Sequence, residues 1–150
     1  VRSRGLGDVY KRQALGADHV INYRTERFEG EVRRWTKKTL GSIGVDVVFE
    51  HVGADTWNGS LLSLKKGGRL VTCGSTSGVS TTMNLMQLFQ QQYRIFGSFG
   101  CRIENIAESL DKMAAGITPV IDTIFPVTAL EEGIERLESR KVFGKLLVAF

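Results

Sequence analysis

The chain has 150 residues, near the usual size of one folded domain, and carries 20 Lys and Arg against 16 Asp and Glu, a net charge of +4. With 42% hydrophobic and 24% charged residues it has an ordinary globular composition, which excludes a fibrous or wholly disordered chain. Its basicity would point to nucleic acid or an anionic membrane, but Arg2, Arg4, Lys11 and Arg12 against Asp8 place +3 in residues 1–13 and leave +1 for 14–150, so neither partner is expected.

No apolar run approaches the roughly 18 residues that a membrane helix needs, and residues 1–13 contain no apolar stretch that could act as a secretion signal. A cytoplasmic location is the default expectation. Cys73 and Cys101 are too few for a disulfide framework and are expected as reduced thiols.

From residue 14 short β-branched runs alternate with helical periodicity. HVINY (19–23) predicts a strand, and Phe28, Val32, Trp35 and Thr39 lie on one face of a helix that stops at Gly41. VDVVFEH (45–51) is a continuous apolar run of the kind found in a strand covered on both faces. Asp55 is placed to cap a helix carrying Trp57, Leu61 and Leu64, which Lys65, Lys66 and Gly67-Gly68 should end. RLVTC (69–73) predicts the next strand. A polar loop, a short helix around Leu85, Leu88 and Phe89, and a strand at YRIFGSF (93–99) follow. Ile106, Leu110 and Met113 mark a helix ending at Gly116, and Pro119 and Pro126 bracket an extended segment. Thr128 with Glu131 forms a potential capping box before Leu130, Ile134 and Leu137, and KLLVAF closes the chain as a strand. Trp35 and Trp57 fall on apolar stripes and are expected in the core.

Strands separated by helices of about ten residues imply βαβ units and a mainly parallel sheet. In such sheets ligands bind beyond the carboxyl ends of the strands. The residues there are Tyr23-Arg24, His51-Val52-Gly53, Cys73-Gly74-Ser75-Thr76 and Gly97-Ser98-Phe99-Gly100, mostly rich in Gly and Ser. Glycine lets backbone approach a ring or phosphate closely, and serine adds a neutral donor.

Taken in order, LGADHVINY (15–23), GVDVVFEHVG (44–53), LKKGGRLVTCGSTSG (64–78), RIFGSF (94–99), PVIDTIFP (119–126) and FGKLLV (143–148) resemble the medium-chain dehydrogenase/reductase family, the zinc-type alcohol dehydrogenases and their quinone oxidoreductase relatives. The resemblance implies an α/β, doubly wound Rossmann-type sheet, here incomplete and lacking its first two strands, with a C-terminal extension. It also implies hydride transfer between NAD or NADP and an alcohol, aldehyde, quinone or enone. Tyr23 would lie against the adenosine ribose or its phosphate, and His51, Val52 and Gly53 would line the cleft. Cys73, Gly74, Ser75, Phe96, Gly97 and Ser98 would meet the nicotinamide half, with the Lys145 charge near a ribose or phosphate. No catalytic residue is assigned to the chain.

The resemblance further implies three segments: residues 1–13 as a leader foreign to the family, 14–118 as a partial dinucleotide-binding domain, and 119–150 as a segment returning toward an absent catalytic domain. His19, His51, Cys73 and Cys101 lack ligand-like spacing, so no metal site and no zinc binding are expected. Before ALGAD there is no strand followed by a Gly-rich turn to hold a pyrophosphate. HVINY should therefore either dock on the open edge of VDVVF or stay unpaired, and the isolated chain should bind dinucleotide weakly or not at all. A homodimer through the 93–99 strand is implied for the intact enzyme, which would act on a small molecule. Two other classes share parts of the pattern: an S-adenosylmethionine-dependent methyltransferase, which would end in an antiparallel hairpin, and a non-enzymatic dinucleotide-binding protein.

Overall fold

The computed structural model describes residues 6–150, which form two compact units, one up to Phe99 and the other Gly100–Phe150. The first contains helix α1 (Leu6–Ala14), α2 (Phe28–Leu40), strand β1 (Val45–Glu50), α3 (Ala54–Ser63), β2 (Leu64–Thr72), α4 (Leu85–Gln90) and β3 (Arg94–Gly97). The parallel order β1-β2-β3 makes neighbours of VDVVF, RLVTC and RIFGSF, as their βαβ spacing requires. Among the described residues no strand precedes β1.

Register explains the core. Val48, Leu70 and Ile95 stand side by side across the sheet, and they meet Leu61 and Leu64 at the end of α3. The next row, Phe49, Val71 and Phe96, points to the other face because side chains alternate along a strand. That face is open: Val47, Phe49 and Phe96 are 47%, 67% and 48% exposed. The expectation that VDVVF is covered on both faces is corrected here, since α2 and α3 pack against β1 from one face only.

HVINY forms no ladder. It remains unpaired and is held instead by side chains: the His19 ring stacks on Trp35 with centroids 5.5 Å apart, and Tyr23 meets Phe28 edge-on at 6.4 Å. A β-branched run needs a partner edge to become a strand, and no ladder joins this one to β1. Trp35 is consequently half-buried beneath His19 rather than part of the core.

Three boundaries also differ from expectation. Lys65 to Gly68 do not form a separate helix terminator. Val45 pairs with Leu64 and Val47 with Arg69, so these four residues bulge from a strand that begins directly after α3. Asp55 is not the α3 cap: Gly53 occupies that position, and the first N–H groups reach a distant loop, Ala54 to the Gly78 carbonyl and Asp55 to Ser77 Oγ at 3.0 Å. Thr128 makes no cap because a 3₁₀ turn, Val127–Ala129, gives it helical rather than extended backbone. The strand at 93–99 is shorter than expected, Arg94–Gly97.

Trp57 packs against the core with its indole N–H buried and unpaired. Since an unsatisfied buried donor costs about 1–3 kcal/mol, Trp57→Phe should leave stability within about 1 kcal/mol of wild type despite the lost ring area, measurable as a urea midpoint.

The second unit contains α5 (Ile103–Ala114), β4 (Ile121–Pro126), the 3₁₀ turn, α6 (Leu130–Glu138) and β5 (Lys145–Ala149). β4 and β5 pair in parallel through α6, so this part is not the antiparallel hairpin that a methyltransferase would require. Phe125 is its buried ring, with Gly133 of α6 close against it. Asp122 ties the unit together, accepting from Arg136 Nη2 at 2.6 Å, the Phe143 N–H at 2.9 Å and the Thr123 hydroxyl at 2.8 Å.

Candidate functional site

Glu50, Thr72 and Gly97 end the three strands in one row. Beyond them the ladder continues for a step, with the Cys73 N–H donating to the Glu50 carbonyl at 3.0 Å and the Ser98 N–H to that of Thr72 at 2.8 Å. The sequence-selected groups His51–Gly53, Cys73–Ser75 and Phe96–Ser98 are thus brought to one edge of the first unit. Tyr23 joins His51 and Val52 around an open cavity of about 480 Å³, which Arg12 and His19 also line. Lys145 lies elsewhere: it begins β5 in the second unit, its N–H bonded to the Val120 carbonyl at 2.9 Å.

Two of these strand ends are stitched together. The Val52 carbonyl accepts from the Ser77 N–H at 2.7 Å and the Ser77 hydroxyl at 2.9 Å, and the Ala54 N–H reaches Gly78. Only glycine fits at the contact points. Gly53 has φ +102°, and a Cβ there would lie 2.8 Å from the Gly78 carbonyl oxygen; a Cβ on Gly74 would lie 2.7 Å from the His51 carbonyl oxygen. The result is a close-packed backbone surface in which Gly53 is buried, with exposed Cys73 and Ser75 beside it.

Glu50, which the sequence did not single out, sits beneath this surface and is 3% exposed. Its carboxylate accepts from the Val52 and Gly53 N–H groups at 2.7 and 3.1 Å, from the Thr56 hydroxyl at 2.9 Å, and from the Ser60 hydroxyl. The available signal was a lone acid ending an apolar run, with two hydroxyls four residues apart on the following helix. Burial by itself pushes the Glu50 carboxyl up, but the bonds from Ser60, Gly53, Val52 and Thr56 outweigh it and hold the group below the usual glutamate value. Its folded-state pKa therefore lies below the unfolded one. The carboxylate contributes stability that is present above the ordinary glutamate value, about 4.3, and is lost as pH falls through the folded value. Acid titration of the urea midpoint should show this loss in the wild type and a smaller one in Glu50→Gln.

Ile21, Tyr23, Phe28, Phe49 and Val52 surround a second cavity of about 230 Å³ above Glu50. It occupies the space between the unpaired HVINY segment and β1. Among the described residues there is no group of three or more His, Cys, Asp or Glu that could hold a metal ion, and no helix long and apolar enough to cross a membrane. Both cysteines are free and exposed.

The zinc-binding dehydrogenase family profile matches residues 15–148. The probable quinone oxidoreductase of Leishmania amazonensis is 35% identical over 158 residues, covering 91% of this chain and 44% of that protein. The crotonyl-CoA carboxylase/reductase of Cereibacter sphaeroides is 30% identical over 132 residues, covering 75% of this chain and 31% of its own. Among solved structures, an NAD-dependent alcohol dehydrogenase aligns with a TM-score of 0.81 at 32% identity, over 96% of this chain and 41% of that one. The chain thus spans less than half the length of each of these proteins. These matches leave the methyltransferase alternative without support: the chain belongs to the zinc-binding dehydrogenases, within the medium-chain dehydrogenase/reductase family that its motif series resembles.

Proposed function

We propose that the chain is the cofactor-facing part of an oxidoreductase that transfers hydride between NAD or NADP and an alcohol, aldehyde, quinone or enone. The observation that carries this reading is the convergence of three Gly- and Ser-bearing strand ends on one edge of a parallel sheet, where Gly53 and Gly74 let the first two pack closely against each other. The names of the quinone oxidoreductase and NAD-dependent alcohol dehydrogenase relatives support the reaction class.

Flat rings and ribose suit an edge of this neutral kind, where the exposed Ser75 and Ser98 offer hydroxyl donors. Bound nicotinamide would supply or accept the hydride. His51, Val52 and Gly53 would line the cleft, Cys73, Gly74, Ser75, Phe96, Gly97 and Ser98 would border the nicotinamide half, and Tyr23 would lie toward the adenosine ribose. Lys145 would add positive charge against an anionic cofactor. In this assignment residues 14–118 are the partial dinucleotide-binding domain and 119–150 the segment that returns to a catalytic domain supplying most of the substrate pocket. The outer edge of β3 is unpaired among the described residues, which suits a homodimer formed through the 93–99 strand.

A chimera tests the activity. With residues 15–148 replacing the matching segment of the Leishmania quinone oxidoreductase, oxidation of NADH or NADPH by at least one member of a quinone, aldehyde and enone panel is expected. A folded chimera that binds cofactor without turnover, beside an active unmodified parent, would instead favour a non-enzymatic dinucleotide-binding protein.

A further inference from the structure

We infer that Glu50 is a positioning residue: its carboxylate fixes the orientation of the 51–52 and 52–53 peptides, and through them the turn that borders the proposed cofactor surface. The inference deepens the functional reading above and rests on it for the role of that turn.

The geometry is that of a clamp with two jaws. In a trans peptide the C=O and the N–H point in opposite directions across one rigid plane. In the 52–53 peptide, the Gly53 N–H donates inward to Glu50 Oε1 at 3.1 Å, while the Val52 C=O accepts from Ser77 N–H and Oγ at 2.7 and 2.9 Å on the opposite side. The 51–52 peptide is held the same way. The Val52 N–H donates to Glu50 Oε1 at 2.7 Å, and the His51 C=O accepts from Thr76 Oγ1 at 3.4 Å. Each plane is bonded at both ends, so neither can rotate without breaking bonds on two sides.

Glu50 suits this task better than a neutral acceptor would. One carboxylate oxygen faces both N–H groups and the Thr56 hydroxyl, while the other faces the hydroxyls of Thr56 and Ser60. None of the ion pairs among the described residues includes it. The charge is compensated by dipoles that all point at it, and two of those dipoles belong to the turn. Hydrogen bonds to a charged acceptor are shorter and stronger than neutral ones. Gly53 has the conformational freedom to let its peptide flip, so the orientation seen is one that the surroundings impose.

The test is an NMR titration of the 150-residue chain without dinucleotide. In the wild type the amide protons of Val52 and Gly53 should move together with the Glu50 side-chain carboxyl carbon as pH is lowered, with a common midpoint below the ordinary glutamate value. Tyr23 and His51 are the titratable side chains lining the same cavity, so the titration is repeated in His51→Gln, where the shared midpoint should persist. In Glu50→Gln the pH dependence of the two amides should vanish and their hydrogen exchange should accelerate roughly tenfold, the equivalent of one charged hydrogen bond, while Leu70 and Val71 in β2 exchange at nearly the wild-type rate. Ser77→Ala removes the opposite jaw. It should speed exchange of the Gly53 amide while leaving the Glu50 titration in place, which keeps the inference testable if Glu50→Gln fails to fold. Amides of Val52 and Gly53 that ignore the Glu50 titration, or that are unchanged in Glu50→Gln, would overturn it. Because no cofactor is present, this outcome is separate from that of the functional reading, which NADPH titration decides.

Discussion

Gly53→Ala should destabilise the first unit by about 3 kcal/mol, enough to unfold much of the population of a marginally stable chain. Two causes act together. At φ +102° and ψ −137° the backbone is in a region essentially reserved for glycine, and placing another residue there costs about 1–3 kcal/mol. The new Cβ would also stand 2.8 Å from the Gly78 carbonyl oxygen and 2.9 Å from Ser75 Cα. Those atoms are backbone, held by the Ser77 bonds, so relief requires separating the two strand ends at a further cost of about 1–3 kcal/mol. Gly30→Ala supplies the contrast. Gly30 lies in α2 with nothing near its prospective Cβ and no unusual φ, and alanine there should raise stability by about 0.5–1 kcal/mol through helix propensity. Urea midpoints of the two variants moving in opposite directions would establish that the 53 position is constrained by the turn and not by glycine content in general.

Phe125→Ala should have the largest effect on the second unit, about 3–4 kcal/mol. Phe125 is 5% exposed, whereas Ile124, Leu130, Ile134, Leu137 and Leu147 around the same βαβ unit are all at least 40% exposed. One ring therefore provides most of the unit's interior. Its edge faces Gly133, a position where a side chain would meet the ring at 3.3 Å, so the cavity left by alanine cannot be filled by a neighbour without shifting α6 against β4. Hydrogen exchange at the β4 and β5 amides should lose most of its protection in this variant. Retention of wild-type protection there would show that the unit is held by the Asp122 bonds to Arg136 and Phe143 rather than by its apolar centre.

Much of the architecture was legible because it depends on local pattern. VDVVFE and RLVT are short β-branched runs separated by a helix, and that spacing alone dictates a parallel pair. The apolar periodicities that end at Gly41 and at Gly116 likewise give helices, α2 and α5. HVINY shows the limit of such reasoning. Its residues favour strand as strongly as those of β1, yet a strand is a relation between two segments, and HVINY joins no ladder among the described residues. The misplaced caps have a related cause. Asp55 and Thr128 have the right chemistry, but capping depends on which residue first takes helical backbone, and that is set at α3 by the 75–78 loop and at α6 by a 3₁₀ turn.

The candidate site divides along the same line. The strand ends at 51–53, 73–75 and 96–98 follow from the general rule for open parallel sheets, and the structure gathers them on one edge. Ser77 could not be found that way, since its partners Val52 and Asp55 lie 25 and 22 residues distant in sequence. Glu50 was hidden by its neighbours: at the end of VDVVF it reads as the polar close of a strand, and only the convergence of two N–H groups and two hydroxyls reveals a buried anion. Lys145, assigned through resemblance, falls in the other unit, where its charge is exposed at the start of β5.

The most direct test of the account is titration of the isotopically labelled chain with NADPH and NADH, followed at the backbone amides. Saturable shifts at His51–Gly53, Cys73–Ser75 and Gly97–Ser98 are expected, with weak affinity in the region of 1 mM, or about −4 kcal/mol, because no Gly-rich strand–turn–helix is present among the described residues to hold the pyrophosphate. Shifts that bypass all three strand ends, or that inorganic pyrophosphate reproduces in full, would contradict the assignment of this edge as a dinucleotide site.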